Sequence, residues 1–80
     1  MERKEIFEKL NDIFRDVLDN DEIELEDATQ SSDIEEWDSL GHIQLVVAIE
    51  KAFGLKFKSE EINKWANVGE MVDTIIERAK

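Results

Sequence analysis

Apolar residues at helical spacing are the feature that most constrains the fold of this chain. Between residues 3 and 18 they recur at i, i+3, i+4 and i+7, and charged side chains occupy the opposite face. The apolar face consists of Ile6, Phe7, Leu10, Ile13, Phe14, Val17 and Leu18. This pattern predicts a first amphipathic helix that turns one face to the core.

Residues 39–53 predict a second helix that is apolar around more of its circumference. One stripe suits the core and consists of Leu45, Ile49, Ala52 and Phe53. A second stripe, displaced around the axis, consists of Leu40, Ile43, Val46 and Val47. A small domain rarely buries two stripes of one helix, so we expect part of the second to face outward as a docking surface. Burial of both stripes in a four-helix core is the alternative.

The C-terminal part of the chain predicts two more helices. Gly54 suits the C-cap of the second helix, and Ser59 suits the N-cap of a short helix that runs to about Trp65. Asn67 is expected to cap the last helix. Its apolar positions are Val68, Met71, Val72, Ile75, Ile76 and Ala79. Because proline and internal repeats are absent, residues 1–80 predict one all-α domain, a four-helix bundle with three main helices and one short helix.

A long loop, residues 19–37, separates the first two helices. Loops of this length in a small domain are usually functional. The loop is expected to contain about one helical turn. Its apolar residues are expected to anchor it over the helices, and they are Ile23, Leu25, Ala28, Ile34 and Trp37.

A calcium-binding loop is an alternative reading of this acidic segment. Asp19 and Asp21 match the first two ligand positions of an EF-hand. Ile23, Glu24 and Gln30 fail the third ligand, the glycine and the bidentate glutamate. The mismatch argues against a calcium sensor.

The charge of the chain limits its partners. Acidic residues outnumber basic ones 21 to 10, for a formal net charge of −11. This excess disfavours nucleic acid and anionic membranes and favours partner proteins with basic surfaces. No apolar run reaches the roughly 20 residues that cross a bilayer, no cysteine is present, and the N-terminus is not signal-like. We therefore expect a monomeric cytoplasmic protein without membrane insertion.

The junction between the loop and the second helix holds the candidate site. Asp38 is a natural N-cap, and Ser39 then lies in the first turn at the positive end of the helix dipole. A phosphate ester on Ser39 would be stabilised there. An ordinary helix cap is the simpler interpretation of this pair alone.

The whole segment from Asp38 through Gly54 resembles the acyl carrier protein family, and the resemblance extends over essentially the full chain. It rests on the triplet Asp38-Ser39-Leu40, the acidic first helix, the long loop and the short C-terminal helices. It implies an acyl-carrier-like bundle in which Ser39 carries 4′-phosphopantetheine. A phosphopantetheinyl transferase would attach this arm, and acyl- or aminoacyl-loading, condensing and transfer enzymes would use it.

The resemblance also implies a docking surface around Ser39. The residues at the family's docking positions are Ile43, Val46 and Val47, and the flanking acidic residues are Glu35, Glu36, Glu60 and Glu61. Trp65 is bulkier than the aliphatic residue expected at its position, which would narrow any internal pocket.

Two departures from the family pattern concern the cargo. Fatty-acid carriers typically have acidic residues where this chain has Gly41 and Gln44. The difference favours a carrier of a specialised pathway, such as polyketide, peptidyl, D-alanyl or polysaccharide-acylating pathways, over the housekeeping fatty-acid carrier.

A self-contained enzyme is disfavoured. The single histidine, His42, lies three residues after Ser39, but no third group is positioned to orient it, so we expect a solvated surface histidine. A remote alternative to the carrier is an acidic helical interaction module without a prosthetic group, docking through Ile43, Val46 and Val47.

Overall fold

A computed structural model describes residues 2–79 of the chain. The helices in this range are α1 (Arg3–Val17), α2 (Ser39–Phe53), α3 (Ser59–Lys64) and α4 (Val68–Arg78). One 3₁₀ turn, Ser31–Asp33, lies in the loop between α1 and α2, as predicted. Within the described residues, no helix is long and apolar enough to cross a bilayer. The expected all-α architecture, with three main helices, a short one and a long first loop, is confirmed.

The core lies where α1 packs against α2 and α4. The apolar faces predicted from helical spacing supply it, because one face of each helix meets the others. Its fully buried side chains are Ile6, Leu10, Phe14, Leu45, Ile49, Val68, Met71, Val72 and Ile75. Two alanines assigned to these faces were placed wrongly, since Ala52 and Ala79 are exposed at the edges of their helices.

Three of the four predicted caps are confirmed. Asp38 and Asn67 cap α2 and α4 through their side chains, and Gly54 ends α2 in the left-handed conformation, with φ of 66°. The predicted cap at Ser59 is wrong, because Ser59 is already the first residue of α3. The Lys58 N–H before it donates instead to Glu61 Oε1, at 2.9 Å.

The long loop is anchored on α1. Ile23, Leu25 and Trp37 are buried as expected, whereas Ala28 is exposed and does not anchor the loop. Two hydrogen bonds hold the backbone of the loop. Arg15 Nε donates to the Ile23 carbonyl at 2.7 Å, and the Leu25 N–H donates to an α1 asparagine side chain at 2.8 Å. The loop is therefore part of the packed structure.

The same loop closes the N-terminal end of α4. The Val68 N–H donates to the Thr29 carbonyl at 2.8 Å, and the Gly69 N–H donates to the Asp27 carbonyl at 2.9 Å. A Cβ added at Gly69 would lie 2.9 Å from that Asp27 oxygen, so this close approach requires glycine. Arg3 on α1 pairs with the Asp27 carboxylate and so ties the loop to a third element.

Candidate functional site

The start of α2 is organised by Asp38. Its backbone is extended, and its Oδ1 accepts a hydrogen bond from the Gly41 N–H at 2.8 Å. Its carbonyl accepts from the His42 N–H, also at 2.8 Å. The predicted N-cap is therefore present, and it places Ser39 at the first position of α2.

Gly41 lets α2 start close to the rest of the protein. It is buried, and an added Cβ would lie 3.0 Å from the Glu36 carbonyl oxygen and 3.1 Å from Leu18 Cδ2. The sequence marks Gly41 only as a departure from the family's acidic pattern. In the structure its small size brings the first turn of α2 against the C-terminal end of α1 and the incoming loop.

Ser39 is the first residue of α2 and is exposed. Among the described residues, no acceptor contacts the backbone N–H groups of Ser39 and Leu40, whereas those of the next two residues are bonded to Asp38. Two free N–H groups at the N-terminus of a 15-residue helix form a favourable site for a phosphate group. The donors at Ser39 thus fit the phosphate of a phosphopantetheine arm.

A surface groove of about 570 Å³ opens beside Ser39. The side of the groove formed by α2 contains Ser39, His42 and Ile43, and the opposite side comes from α3 and the segment that follows it. The residues on that opposite side and in the loop are Ser31, Trp37, Asp38, Ile62, Asn63, Trp65, Ala66 and Asn67. The groove and the candidate attachment residue therefore form one continuous surface.

His42 is not the solvated surface histidine that the sequence predicts. It is half-buried between two tryptophans, with its ring stacked on Trp37 at 6.0 Å between centroids and edge-on to Trp65 at 6.2 Å. Its Nδ1 accepts a hydrogen bond from Trp37 Nε1 at 3.1 Å. A signal for this contact exists in the sequence, because Trp37 precedes the N-cap and His42 is the fourth helical residue, the two positions that pair in a hydrophobic staple.

The second apolar stripe of α2 is divided between surface and core. Leu40, Ile43 and Val47 are 65%, 61% and 45% exposed, so the expectation of an outward-facing apolar surface holds for them. Val46 is only 7% exposed, so it does not belong to the outward-facing part of the stripe. Val46 lies one helical position before Val47 and is covered by the rest of the protein.

The predicted acidic residues around Ser39 differ in their availability. Glu35, Glu36 and Glu60 are exposed. Glu61 is engaged within the protein, because it accepts from the Lys58 N–H and pairs with Arg78 of α4 at 2.5 Å. The hydrogen bond from Lys58 and the pairing with Arg78 lower the pKa of Glu61. Glu61 thus stabilises the start of α3.

Comparisons with known proteins agree with this geometry. A model of the phosphopantetheine attachment site family matches residues 8–75. The acyl carrier protein of Rubrobacter xylanophilus is 36% identical over 96% of this chain and 95% of its own length. That of Petrotoga mobilis is 36% identical over 98% of this chain and 92% of its own. This chain belongs to the acyl carrier protein family.

A solved member of the family has the same fold. The solution structure of the holo acyl carrier protein from Geobacter metallireducens has a TM-score of 0.85 and 39% identity, covering 90% of this chain and 83% of that one. As an acyl carrier protein, this molecule is a carrier and not an enzyme, and its cofactor is covalently bound 4′-phosphopantetheine. Its partners include a phosphopantetheinyl transferase and biosynthetic enzymes.

Asp38→Ala is expected to lower the free energy of unfolding of this acyl carrier protein by about 1 kcal/mol, because the Gly41 N–H loses its acceptor. Urea denaturation followed by circular dichroism measures the change. Asp38→Asn is the matched control, since an amide oxygen can still accept, and we expect it to stay close to the unsubstituted protein. Equal losses in the two variants would contradict the capping role.

The stability of the protein should also depend on the titration of His42. Burial lowers the pKa of His42 from its ordinary value of 6.5, so the unfolded chain binds the proton more readily than the folded chain. The contribution of neutral His42 to the free energy of unfolding is therefore complete above about pH 6.5. It is lost as the pH falls through the lower pKa of the folded protein. Nuclear magnetic resonance (NMR) titration of this single histidine should give a midpoint below 6.5.

The matched variant for this pH dependence is His42→Gln. It should flatten the change in unfolding free energy between about pH 5 and 7, a range in which histidine titrates and most carboxylates do not. A midpoint at or above the ordinary histidine value, or an unchanged pH dependence in the variant, would contradict the assignment.

Proposed function

We propose that Ser39 is the residue that carries 4′-phosphopantetheine in this acyl carrier protein. The observation that supports it best is the position of Ser39, exposed at the first residue of α2 with two free backbone N–H groups beside it. Asp38 defines this position by capping the helix, and Leu40 adds an exposed apolar side chain next to it. The protein would act as a single monomeric carrier domain in the cytoplasm.

In the attachment reaction, Ser39 Oγ would form a bond to the phosphorus next to the pantetheine portion of coenzyme A. The bond between the two phosphates breaks, adenosine 3′,5′-bisphosphate leaves, and the serine proton passes to a base of the transferase. The free N–H groups of Ser39 and Leu40 would then donate to the phosphodiester. This chain needs no catalytic base of its own for that reaction.

The test is incubation with coenzyme A and a broad-specificity phosphopantetheinyl transferase, followed by intact mass measurement and fragmentation of the peptides. We expect a gain of one phosphopantetheine, located on Ser39. Ser31 is the informative alternative, because it lines the same groove and is exposed. An arm found on Ser31, or no gain in a folded protein, would overturn the assignment.

We also propose that partner enzymes dock on the surface around Ser39. Its apolar part is Leu40, Ile43 and Val47, and its acidic part is Glu35, Glu36 and Glu60. An apolar centre with a charged rim is the usual composition of a protein interface. The acidic rim favours basic partner surfaces, on the transferase and on acyl- or aminoacyl-loading, condensing and transfer enzymes.

Replacing Glu35 and Glu36 together with lysine should reduce kcat/KM of the transferase about tenfold at low salt, because the charge that steers its approach is reversed. The difference should shrink as salt screens the exposed charges. The matched control replaces Glu5 and Glu8 of α1, which are also exposed, with lysine. Equal losses in both double variants would point to net charge alone and against this docking surface.

The cargo of the carrier is a separate proposal. Gly41 and Gln44 favour a specialised acyl pathway, with aminoacyl, D-alanyl or peptidyl transfer as the alternative. An acidic interaction module without a prosthetic group has no support from the family to which the chain belongs.

A further inference from the structure

A row of aromatic rings extends from the groove beside Ser39 to the core. Trp37 stands edge-on to Phe14 at 5.0 Å, His42 stacks on Trp37, and Trp65 meets both His42 and Phe57 edge-on. The side chains that line the groove include three of these rings and none of the fully buried core residues. A group that enters the groove therefore lies against Trp37, His42 and Trp65, together with Ile43 and Ile62.

Hydrogen bonds hold the two indoles of this row in place. Trp37 Nε1 donates to His42 Nδ1, and Trp65 Nε1 donates to Thr74 Oγ1 of α4 at 2.9 Å. Moving either ring aside to admit an alkyl chain would separate packed aromatic pairs and leave an indole N–H without its acceptor. The row is consequently a barrier to an alkyl chain that would pass these rings on its way to the core.

The bond from Trp37 also determines which nitrogen of His42 carries the proton. An indole N–H can only donate, so Nδ1 of His42 must be an unprotonated acceptor, and the neutral ring then carries its proton on Nε2. Nε2 has no partner among the described residues and is not sealed from solvent. His42 lines the groove and lies one helical turn from Ser39, about 5–6 Å between Cβ atoms. It offers a single oriented N–H donor beside the attachment residue.

We propose that the groove holds the acyl group carried on Ser39 and favours a short acyl group with an oxygen substituent, such as a 3-hydroxyacyl group, over a long alkyl chain. The oxygen of the substituent accepts from His42 Nε2–H, and the arm folds back along α2 to bring it there. Trp37 and Trp65 exclude a long chain from the core. This inference rests on Ser39 as the attachment residue.

The test compares four forms of the protein, prepared with the transferase from coenzyme A and from its butyryl, 3-hydroxybutyryl and decanoyl thioesters. Intact mass and peptide fragmentation first locate each arm. The NMR signals of the His42 ring and of the two indoles then report on the groove, and the methyl signals of Ile49, Met71 and Ile75 report on the core. An arm located anywhere other than Ser39 overturns the proposed function and this inference together.

With the arm on Ser39, we expect the 3-hydroxybutyryl form to shift the His42 Nε2 signal relative to the butyryl and unacylated forms. The core methyl signals should be the same in all four forms. The thioester of the 3-hydroxybutyryl form should react with hydroxylamine about fivefold more slowly than that of the butyryl form, because one hydrogen bond holds the acyl group in the groove. Each rate is first divided by the rate of the matching coenzyme A thioester. A decanoyl chain that shifts the core methyl signals, or a His42 signal identical in the two four-carbon forms, overturns the inference and leaves Ser39 as the attachment residue.

Two variants separate the parts of the proposal. His42→Phe keeps an aromatic ring in the row and removes the N–H donor. In this variant the butyryl and 3-hydroxybutyryl forms should therefore react with hydroxylamine at the same normalised rate. Trp65→Leu shortens the barrier, so the decanoyl form of this variant should shift the core methyl signals. If either variant fails to fold by circular dichroism, the four forms of the unsubstituted protein still decide the matter.

Discussion

Ser39→Ala is expected to abolish attachment of 4′-phosphopantetheine completely, because alanine has no oxygen to form the phosphodiester. The substitution should change the free energy of unfolding by less than about 0.5 kcal/mol. Ser39 is exposed, and its side chain makes no hydrogen bond among the described residues, while Asp38 supplies the cap. Intact mass after incubation with coenzyme A and a transferase, beside a urea denaturation curve, measures both quantities.

The matched control for Ser39→Ala is Ser31→Ala. Ser31 lines the same groove and is also exposed, but it belongs to the 3₁₀ turn of the loop. This variant should accept one arm as readily as the unsubstituted protein. Residual modification of the Ser39 variant would show that another hydroxyl is used, and a large loss of stability would mean that Ser39 has a structural role.

Phe14→Ala is expected to lower the free energy of unfolding by about 3–5 kcal/mol, because it leaves a cavity where the largest fully buried side chain now lies. Phe14 also loses its edge-on contact with Trp37, at 5.0 Å between centroids. A domain of this size has a total stability of about 4–12 kcal/mol, so the substitution should remove at least about a quarter of it. Urea denaturation followed by tryptophan fluorescence measures the change.

Phe7→Ala on the same helix is the matched control for Phe14→Ala. Phe7 is half-buried at the edge of the core, with the Arg3 guanidinium 5.9 Å from its ring centroid. Its removal should cost less than half as much, since solvent can occupy part of the space. Similar losses in the two variants would contradict this prediction and show that the packing around Phe14 relaxes into the cavity.

Much of the fold follows from local patterns in the sequence. Helical spacing of apolar residues located α1, α2 and α4, and the caps at Asp38, Gly54 and Asn67 located both ends of α2 and the start of α4. These signals are local because a cap or an apolar face depends on residues at most a few turns apart. Ser59 shows where such local prediction fails. The sequence around it suits an N-cap, but the cap position is occupied by Lys58, whose N–H donates to Glu61.

The candidate site was predictable in part. The triplet around Ser39 and the exposed side chains of Leu40, Ile43 and Val47 follow from the pattern of α2. The burial of Val46 did not follow, because both stripes of α2 are apolar and only the packing of the folded protein determines which residue is covered.

By itself, the sequence determined the helices, the family and the candidate attachment residue, since these depend on short-range spacing and on a contiguous motif. Only the tertiary structure decided how the long loop lies, because its bonds to Asn11, Val68 and Gly69 join residues far apart in the chain. The same is true of the aromatic row from Phe14 to Phe57, in which Trp65 reaches His42 from the position that follows α3. Long-range contacts of this kind leave no periodic signal, because their geometry is set by how complete helices pack.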